Sequence, residues 1–367
     1  MINSLYLITR FRSNMGPINQ ALNFVTGVDK KQVNITVVTL SPEVYNKSWL
    51  SCFEKENIQI IQLNKKSYNI IGCVNALKKI IKERNISIVH SSGFRPDLCN
   101  VFLRKKVLTA TTQRSEPANL GEKYGRVWKF IMNHLEMYII QKIAIPIACS
   151  KSLAAKLTQF SNRYIYSVQN GVNTDVFIPV KEKQRIREKY DLPFDKCIYV
   201  VVGSILPRKN VSMILNTFMN DSIPNSLLLI VGEGGQLEEF KQKYSNPNIR
   251  FLGQQNNPLP YLQASDYFIS ASFSEGLPNT VLESISCGIP VILSNIEPHK
   301  EILCEGTIGC SFYPNSSEDL CRAINEINQY NYMEMSQECR KIALNVFSKY
   351  STASQYLELY KKHLHYD

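Results

Sequence analysis

Apolar residues gather along this chain into short unbroken runs. Each run ends in glycine or polar residues and is followed by a stretch in which apolar positions recur at helical spacing. In the first half, Leu5-Tyr6-Leu7-Ile8 and residues 34–40, 58–63, 86–90, 107–114 and 145–150 read as buried strands. Ile71, Val74, Leu77, Ile80 and Ile81 mark a helix between the third and fourth of them. In the second half, residues 197–203, 226–232, 248–253 and 266–271 read as strands, and 181–190, 211–218 and 350–360 as helices. Strands alternating with helices predict an α/β protein with parallel sheets and right-handed crossovers. Such sheets bind ligands at the carboxyl ends of their strands. A strand, a glycine-containing loop and a helix occur in that order at Gly16 and again at Gly203, as two Rossmann-like halves would have them. No internal sequence repeat or low-complexity tract is present.

The length of 367 residues suits two domains, and no apolar run approaches the ~18 residues of a membrane span. The first ten residues lack a basic region and a cleavage site, so they are read as a strand and not a signal peptide. The ten cysteines are scattered with no C-x-x-C pair, which points to reduced thiols in a cytoplasm and away from a zinc site. Charge changes the picture more. Residues 1–180 carry a net +14 and the remainder −3. The basic half faces an anionic partner or is simply solvated. The candidate partners are nucleic acid and an anionic membrane surface bearing a lipid-diphosphate acceptor. Nucleic acid is disfavoured because only one helical stretch, residues 124–141, interleaves aromatic and basic side chains, among them Trp128, Phe130, Arg126 and Lys129, with Lys123 just before it. That stretch either lies in a membrane interface or packs on its own sheet.

The chemistry centres on Ser272-Phe273-Ser274-Glu275-Gly276-Leu277-Pro278-Asn279-Thr280-Val281-Leu282-Glu283. Pro278 suits the opening of a helix, where its fixed φ is helical and its missing N–H costs nothing. Glu275 then lies in the loop before the helix and Glu283 about two turns into it. Backbone N–H groups at Leu277, Asn279 and Thr280 would face an anion between the two carboxylates. Alternatively the two acids are ordinary solvated groups. The string resembles the E-x7-E signature of the family 4 glycosyltransferases of the GT-B fold, and Gly288-Ile289-Pro290 matches as well. The resemblance implies that Glu275 holds the donor sugar, with Gly276 to Thr280 around the diphosphate, and that Glu283 holds the ribose. It also implies two Rossmann-like doubly wound domains facing across a cleft. These would be an acceptor-binding domain at 1–176, a nucleotide-sugar-binding domain at 177–346, and a terminal helix at 347–367 that crosses back to the first domain.

Other segments follow the same family pattern. Gly203 and Lys209 match Gly-Arg-Leu-x-x-x-Lys-Gly, but Ser204 replaces the arginine that usually binds the leaving diphosphate, and Arg208 stands in as its replacement. The resemblance makes Lys209 and Arg208 catalytic, with Glu275 and His90. Gly232-Glu233-Gly234 matches a glycine turn, and Leu252 lies where relatives present backbone to the base. In the first half, Gly16 stands in a loop expected to face acceptor and donor phosphates, and Arg10 and Arg12 either serve that anionic site or are exposed. His90-Ser91-Ser92-Gly93 resembles a loop in the family's cleft. Relatives carry histidine where Gln113 stands, and Arg114 beside it is a candidate acceptor-phosphate ligand. Asn170-Gly171-Val172-Asn173 resembles the interdomain linker. His299 and Glu301, in Pro298-His299-Lys300-Glu301-Ile302, are read as structural.

The reaction implied is transfer of a hexosyl unit from a nucleotide sugar, UDP rather than GDP, with retention and without metal or cofactor. No Asp-x-Asp triplet is present, which fits metal-free chemistry. The acceptor implied is a lipid-linked glycan of bacterial capsule, O-antigen or exopolysaccharide synthesis, at the cytoplasmic membrane face. The alternatives are a nucleotide-sugar epimerase of the same fold and a non-catalytic GT-B partner, the latter suggested by Gln113 and Ser204.

Overall fold

The computed structural model describes residues 1–13, 15–44, 48–116, 125–219 and 223–365, with the backbone alone for 125–129. The chain divides into two compact units. One comprises Met1–Gly171 with Lys349–Asp367, the other Val172–Ser348.

The first unit is built on β1 (Ile2–Ile8), β2 (Val33–Thr39), β3 (Gln59–Gln62), β4 (Ile88–Ser91), β5 (Leu108–Gln113), β6 (Ile145–Ala148) and β7 (Tyr166–Ser167). Their order in the sheet is β3-β2-β1-β4-β5-β6-β7, and every pairing is parallel. The second unit contains β8 (Cys197–Val202), β9 (Ser226–Val231), β10 (Ile249–Gly253), β11 (Tyr267–Ser270), β12 (Val291–Ser294) and β13 (Gly309–Phe312), ordered β10-β9-β8-β11-β12-β13 and again parallel. Both sheets reverse direction of growth beside their first strand, which is the doubly wound Rossmann arrangement. The central strands β1, β8 and β9 are nearly continuous apolar runs, as expected where helices cover both faces. Leu5 and Leu7 of β1 point into one core, while Tyr6 and Ile8 point into another.

Helix Lys349–Leu364 completes the core of the first unit. Its Ala353, Tyr356, Leu357 and Tyr360 pack with Tyr6, Phe24 and Ile88. It lies against helix Gly16–Gly27 so closely that a Cβ on Gly27 would fall 2.4 Å from the Lys349 carbonyl oxygen. The end of the first unit is pinned from helix Gly16–Gly27 as well. The Gln20 amide donates to the Gly171 carbonyl (2.7 Å) and accepts from the Gly171 N–H (3.0 Å).

The loop that begins at His90 ends at Gly93, which at φ +103 turns the chain into helix Phe94–Val101. One helix differs from its sequence reading. The central helix starts one residue late. Pro278 is its N-cap, at φ −75 and ψ 114, and the helix spans Asn279–Ser286, so Glu283 sits little more than one turn in. Lys123 and Tyr124 lie outside the described residues, as do the side chains of Arg126, Trp128 and Lys129.

Candidate active site

In the second unit, the site begins where β8 ends. Gly203 adopts φ +145, a conformation that L side chains rarely adopt. Its N–H bonds to the Val231 carbonyl (3.0 Å), and the Ile205 N–H bonds to the Glu233 carbonyl (2.9 Å). The loops after β8 and β9 therefore lie side by side. A Cβ on Gly232 would stand 1.8 Å from the Gly203 oxygen, and one on Gly234 would stand 1.9 Å from the Ile205 oxygen. These glycines are required by loop-to-loop contact.

The first loop then closes a single 3-10 turn, Pro207–Lys209, stopped by Asn210 at φ 52. The Arg208 carbonyl takes the Phe273 N–H at 2.8 Å, which ties this turn to the loop after β11. Both cations then converge on Glu275. Lys209 Nζ donates to Oε1, and Arg208 Nη1 reaches Oε2 at 3.3 Å and the Ser274 carbonyl at 3.1 Å. Ser272 Oγ donates to Oε1 at 2.8 Å. Burial on its own would raise the Glu275 carboxyl. Lys209 and Arg208 outweigh it, with the bonds from Lys209 and Ser272, and hold the group at about 2.

Glu283 has the opposite environment. It is 8 % exposed, and its carboxylate has no hydrogen bond or ion pair among the described residues. Burial pushes it up to about 7. Leu277, Val281, Leu282 and Ile285 anchor its helix in the core. No side chain caps that helix and no acid stands in its first turn, so the positive end of its dipole is not offset there. Gly276 and Thr280 are half-buried beside it. The remaining expected donor residues sit at neighbouring strand ends. Glu233 spends its carbonyl on Ile205, and Leu252, in β10, accepts Gln255 Nε2 at 2.7 Å.

The first unit treats its candidates differently. Gly16 opens helix Gly16–Gly27, which has no side-chain cap. Arg10 is half-buried and Arg12 exposed. Arg114 donates to Ser92 Oγ (3.2 Å), Asn170 Oδ1 (2.6 Å) and the Tyr6 hydroxyl (3.5 Å), none of them formally charged. Gln113 is buried and turned onto Asp97, 3.4 Å away.

His90 was expected to act in catalysis, and its surroundings are those of a structural group. The ring is fully buried, with Nδ1 on the Tyr360 hydroxyl (2.5 Å) and Nε2 on Thr112 Oγ1 (2.8 Å). Burial, helped by Arg114, pushes it down to about 3. A neutral ring with both nitrogens engaged presents no atom to a substrate. It joins the sheet to the terminal helix.

The sequence reading missed three groups. Ser272 lies three residues before Glu275 in the quoted string, a spacing that would have suggested its bond. Ser294 forms a buried pair behind it with His299, the residue read from the sequence as structural. In the first unit, burial pushes Asp97 up to about 6, and burial and nearby Asp97 push Glu136 up to about 8; nothing in the sequence signals that juxtaposition.

Comparison with known proteins identifies the family. Residues 182–346 match the model for glycosyl transferases group 1, and residues 17–176 match that for Glycosyltransferase Family 4. The chain is 28 % identical over 301 residues to the UDP-Gal:alpha-D-GlcNAc-diphosphoundecaprenol alpha-1,3-galactosyltransferase of Escherichia coli, covering 78 % of each. It is 24 % identical over 347 residues to the O-antigen biosynthesis glycosyltransferase WclY of Escherichia coli, covering 89 % of this chain and 94 % of that one. Among solved structures, Anabaena HepE in complex with UDP-glucose superposes with a TM-score of 0.81 at 14 % identity, over 99 % of this chain and 100 % of that one. Two parallel doubly wound sheets and family matches over both halves lead to one assignment: the chain belongs to glycosyltransferase family 4 and is a glycosyltransferase of the GT-B fold.

Proposed function

We propose that the protein transfers a hexosyl unit from a UDP-sugar to a lipid-diphosphate-linked glycan, with retention and without metal or cofactor, during bacterial O-antigen or related surface-polysaccharide synthesis. The observation that carries this reading is the set Lys209, Arg208 and Glu275 beside the N-terminus of helix Asn279–Ser286, which bears the buried Glu283, a carboxylate with no hydrogen bond or ion pair among the described residues. It supplies cations for a diphosphate, a carboxylate for sugar hydroxyls and a second carboxylate for a ribose. In the transfer the C1–O bond to the diphosphate breaks and the diphosphate leaves with the electron pair. The acceptor hydroxyl bonds C1 on the same face, and its proton passes to the departing phosphate oxygen. Lys209 and Arg208 meet the charge that develops there, in the place a metal ion takes in other transferases.

The donor and acceptor classes are supported by the Escherichia coli relative, whose name gives UDP-Gal, a diphosphoundecaprenol-linked GlcNAc and an α-1,3 product. An α product from an α-linked UDP-sugar is retention. Arg114, with its neutral partners, together with Arg10 and Arg12, is assigned to the acceptor diphosphate, and Gly16 to the donor phosphates. A peripheral position on the inner membrane face is supported by the basic first half and by helix Gly125–Lys142, on which Phe130, Ile131, Leu135 and Tyr138 are exposed. No helix among the described residues is long and apolar enough to cross a membrane.

The test uses radiolabelled UDP-galactose, UDP-glucose and their N-acetyl forms with a synthetic GlcNAc-diphosphate lipid, with and without EDTA. The expected result is a labelled lipid-linked disaccharide with an α linkage, formed equally in EDTA. A melting temperature raised by UDP with no transfer to any acceptor would favour the non-catalytic partner that Gln113 and Ser204 suggest. No response to any nucleotide would overturn the reading.

A further inference from the structure

We propose that His299, as the neutral Nδ1–H tautomer, is a positioning residue for sugar transfer that holds Glu275 in place through Ser294 and Ser272. His299 lies in helix Glu297–Leu303, just after β12, and its ring is fully buried. Nδ1 stands 2.9 Å from the Ser294 carbonyl and 3.0 Å from Ser294 Oγ. A carbonyl only accepts, so Nδ1 carries the proton. Ser294 Oγ spends its own proton on the Ser272 carbonyl at 2.6 Å, which leaves its lone pairs to face His299. Ser272 Oγ in turn donates to Glu275 Oε1 at 2.8 Å. His299 and Ser294 thus fix the backbone of Ser272, and the Ser272 side chain fixes Glu275; Ser272 and Ser294 are both fully buried. The ring is close enough to Glu275 and Lys209 to be affected by both charges, and burial pushes it down to about 4.

The other ring nitrogen gives the second observation. Nε2 is buried with no hydrogen-bond partner among the described residues. A side chain kept only to fill space would be better without such an atom. What the ring supplies that an apolar side chain does not is the Nδ1–H donor, and that donor holds Ser294, whose hydroxyl in turn holds the backbone of the loop that carries Glu275.

The inference rests on the donor reading of Glu275 for its kinetic readout but not for its structural one. The test compares the full chain as wild type, H299N, H299Q and H299L. Asparagine places an amide N–H near the position of Nδ1, whereas glutamine places it near Nε2. In ligand-free crystal structures, Glu275 is expected to stay on Lys209 and Ser272 in the wild type and H299N, and to be displaced in H299Q and H299L. With a UDP-sugar donor, kcat is expected to fall about 100-fold in H299Q and H299L, as for a misplaced catalytic group. H299N should recover most of that loss, and the affinity for UDP alone should not change in any variant. If H299L does not fold, S294A removes only the intervening hydroxyl and carries the same expectation. Glu275 unmoved in H299L and S294A, or equal losses in H299N and H299Q, would overturn the inference. If the wild type neither binds nor turns over any UDP-sugar, the donor reading fails, and the crystallographic comparison still decides the role of His299.

Discussion

Lys209 and Glu275 form an ion pair that is mostly removed from water, with 17 % of the lysine side chain and 9 % of the glutamate side chain exposed. Arg208, on the same carboxylate, is 40 % exposed and so contributes a more screened attraction. Lys209→Ala is accordingly expected to lower kcat by about 100- to 1,000-fold, the range seen when a preorganised charge is removed from a transition state. Glu275 keeps Arg208 and Ser272 in that variant, so the circular dichroism spectrum should not change. Glu275→Ala should also abolish transfer, but with a lower melting temperature, because it leaves two cations facing each other. Wild-type turnover in either variant would remove these residues from the site.

Glu283 ties stability to pH. Its folded value of about 7 lies above the ordinary 4.5, so the folded state keeps a proton that the unfolded chain releases. Stability from this group is fully present below 4.5 and is lost as pH rises to about 7, by about 3 kcal/mol in all. Glu283→Gln is expected to raise stability at pH 8 by up to that amount, to change little at pH 4.5, and to weaken UDP binding. Urea melts at the two pH values and calorimetric titration with UDP check both halves.

Glu275 has the opposite sign. Its folded value of about 2 lies below 4.5, so its stabilisation is present above 4.5 and is lost as pH falls toward 2. Glu275→Gln should flatten that acid limb of a stability profile measured between pH 2 and 6.

Gly234 has no room for a side chain. Alanine there must push against the Ile205 carbonyl, 1.9 Å from the added carbon, and so against the loop that ends in Lys209. Gly234→Ala is expected to cost about 1–3 kcal/mol in a thermal or urea melt and to weaken UDP binding. A variant with wild-type affinity would show that the loop relaxes without moving Lys209.

The alternation of apolar runs and helical spacing was enough to read most of both sheets, because buried parallel strands are apolar on both faces and need no partner to be recognised; the edge strands β7 (Tyr166–Ser167) and β13 (Gly309–Phe312) are too short and too polar to be read that way. The spacing of Glu275 and Glu283 was also visible, since one loop and one turn of helix connect them. What the sequence could not show was how distant side chains meet. Arg208 and Lys209 reach Glu275 across more than sixty positions of chain. His90 is buried by Tyr360 from the far end of the sequence, and that contact turns a strand-end histidine into a structural group. His299 was read as structural, and its buried contact with Ser294 could not be foreseen because serine at that position carries no signal of its own. Gly232 and Gly234 were legible as a turn, but not as the face against which the Gly203 loop rests.

Helix Lys349–Leu364 carries a consequence for how the protein is made. Ala353, Tyr356, Leu357 and Tyr360 belong to the core of the unit that begins at Met1. Synthesis runs from the N-terminus, and domains generally fold as they emerge. Here the first unit to leave the ribosome lacks part of its interior until nearly the whole chain has followed it, whereas Val172–Ser348 has all of its own strands and helices by the time residue 348 is added. The second unit is thus able to finish folding before the first, and a nascent chain stalled before Lys349 would expose the apolar groove that Tyr356 and Tyr360 fill.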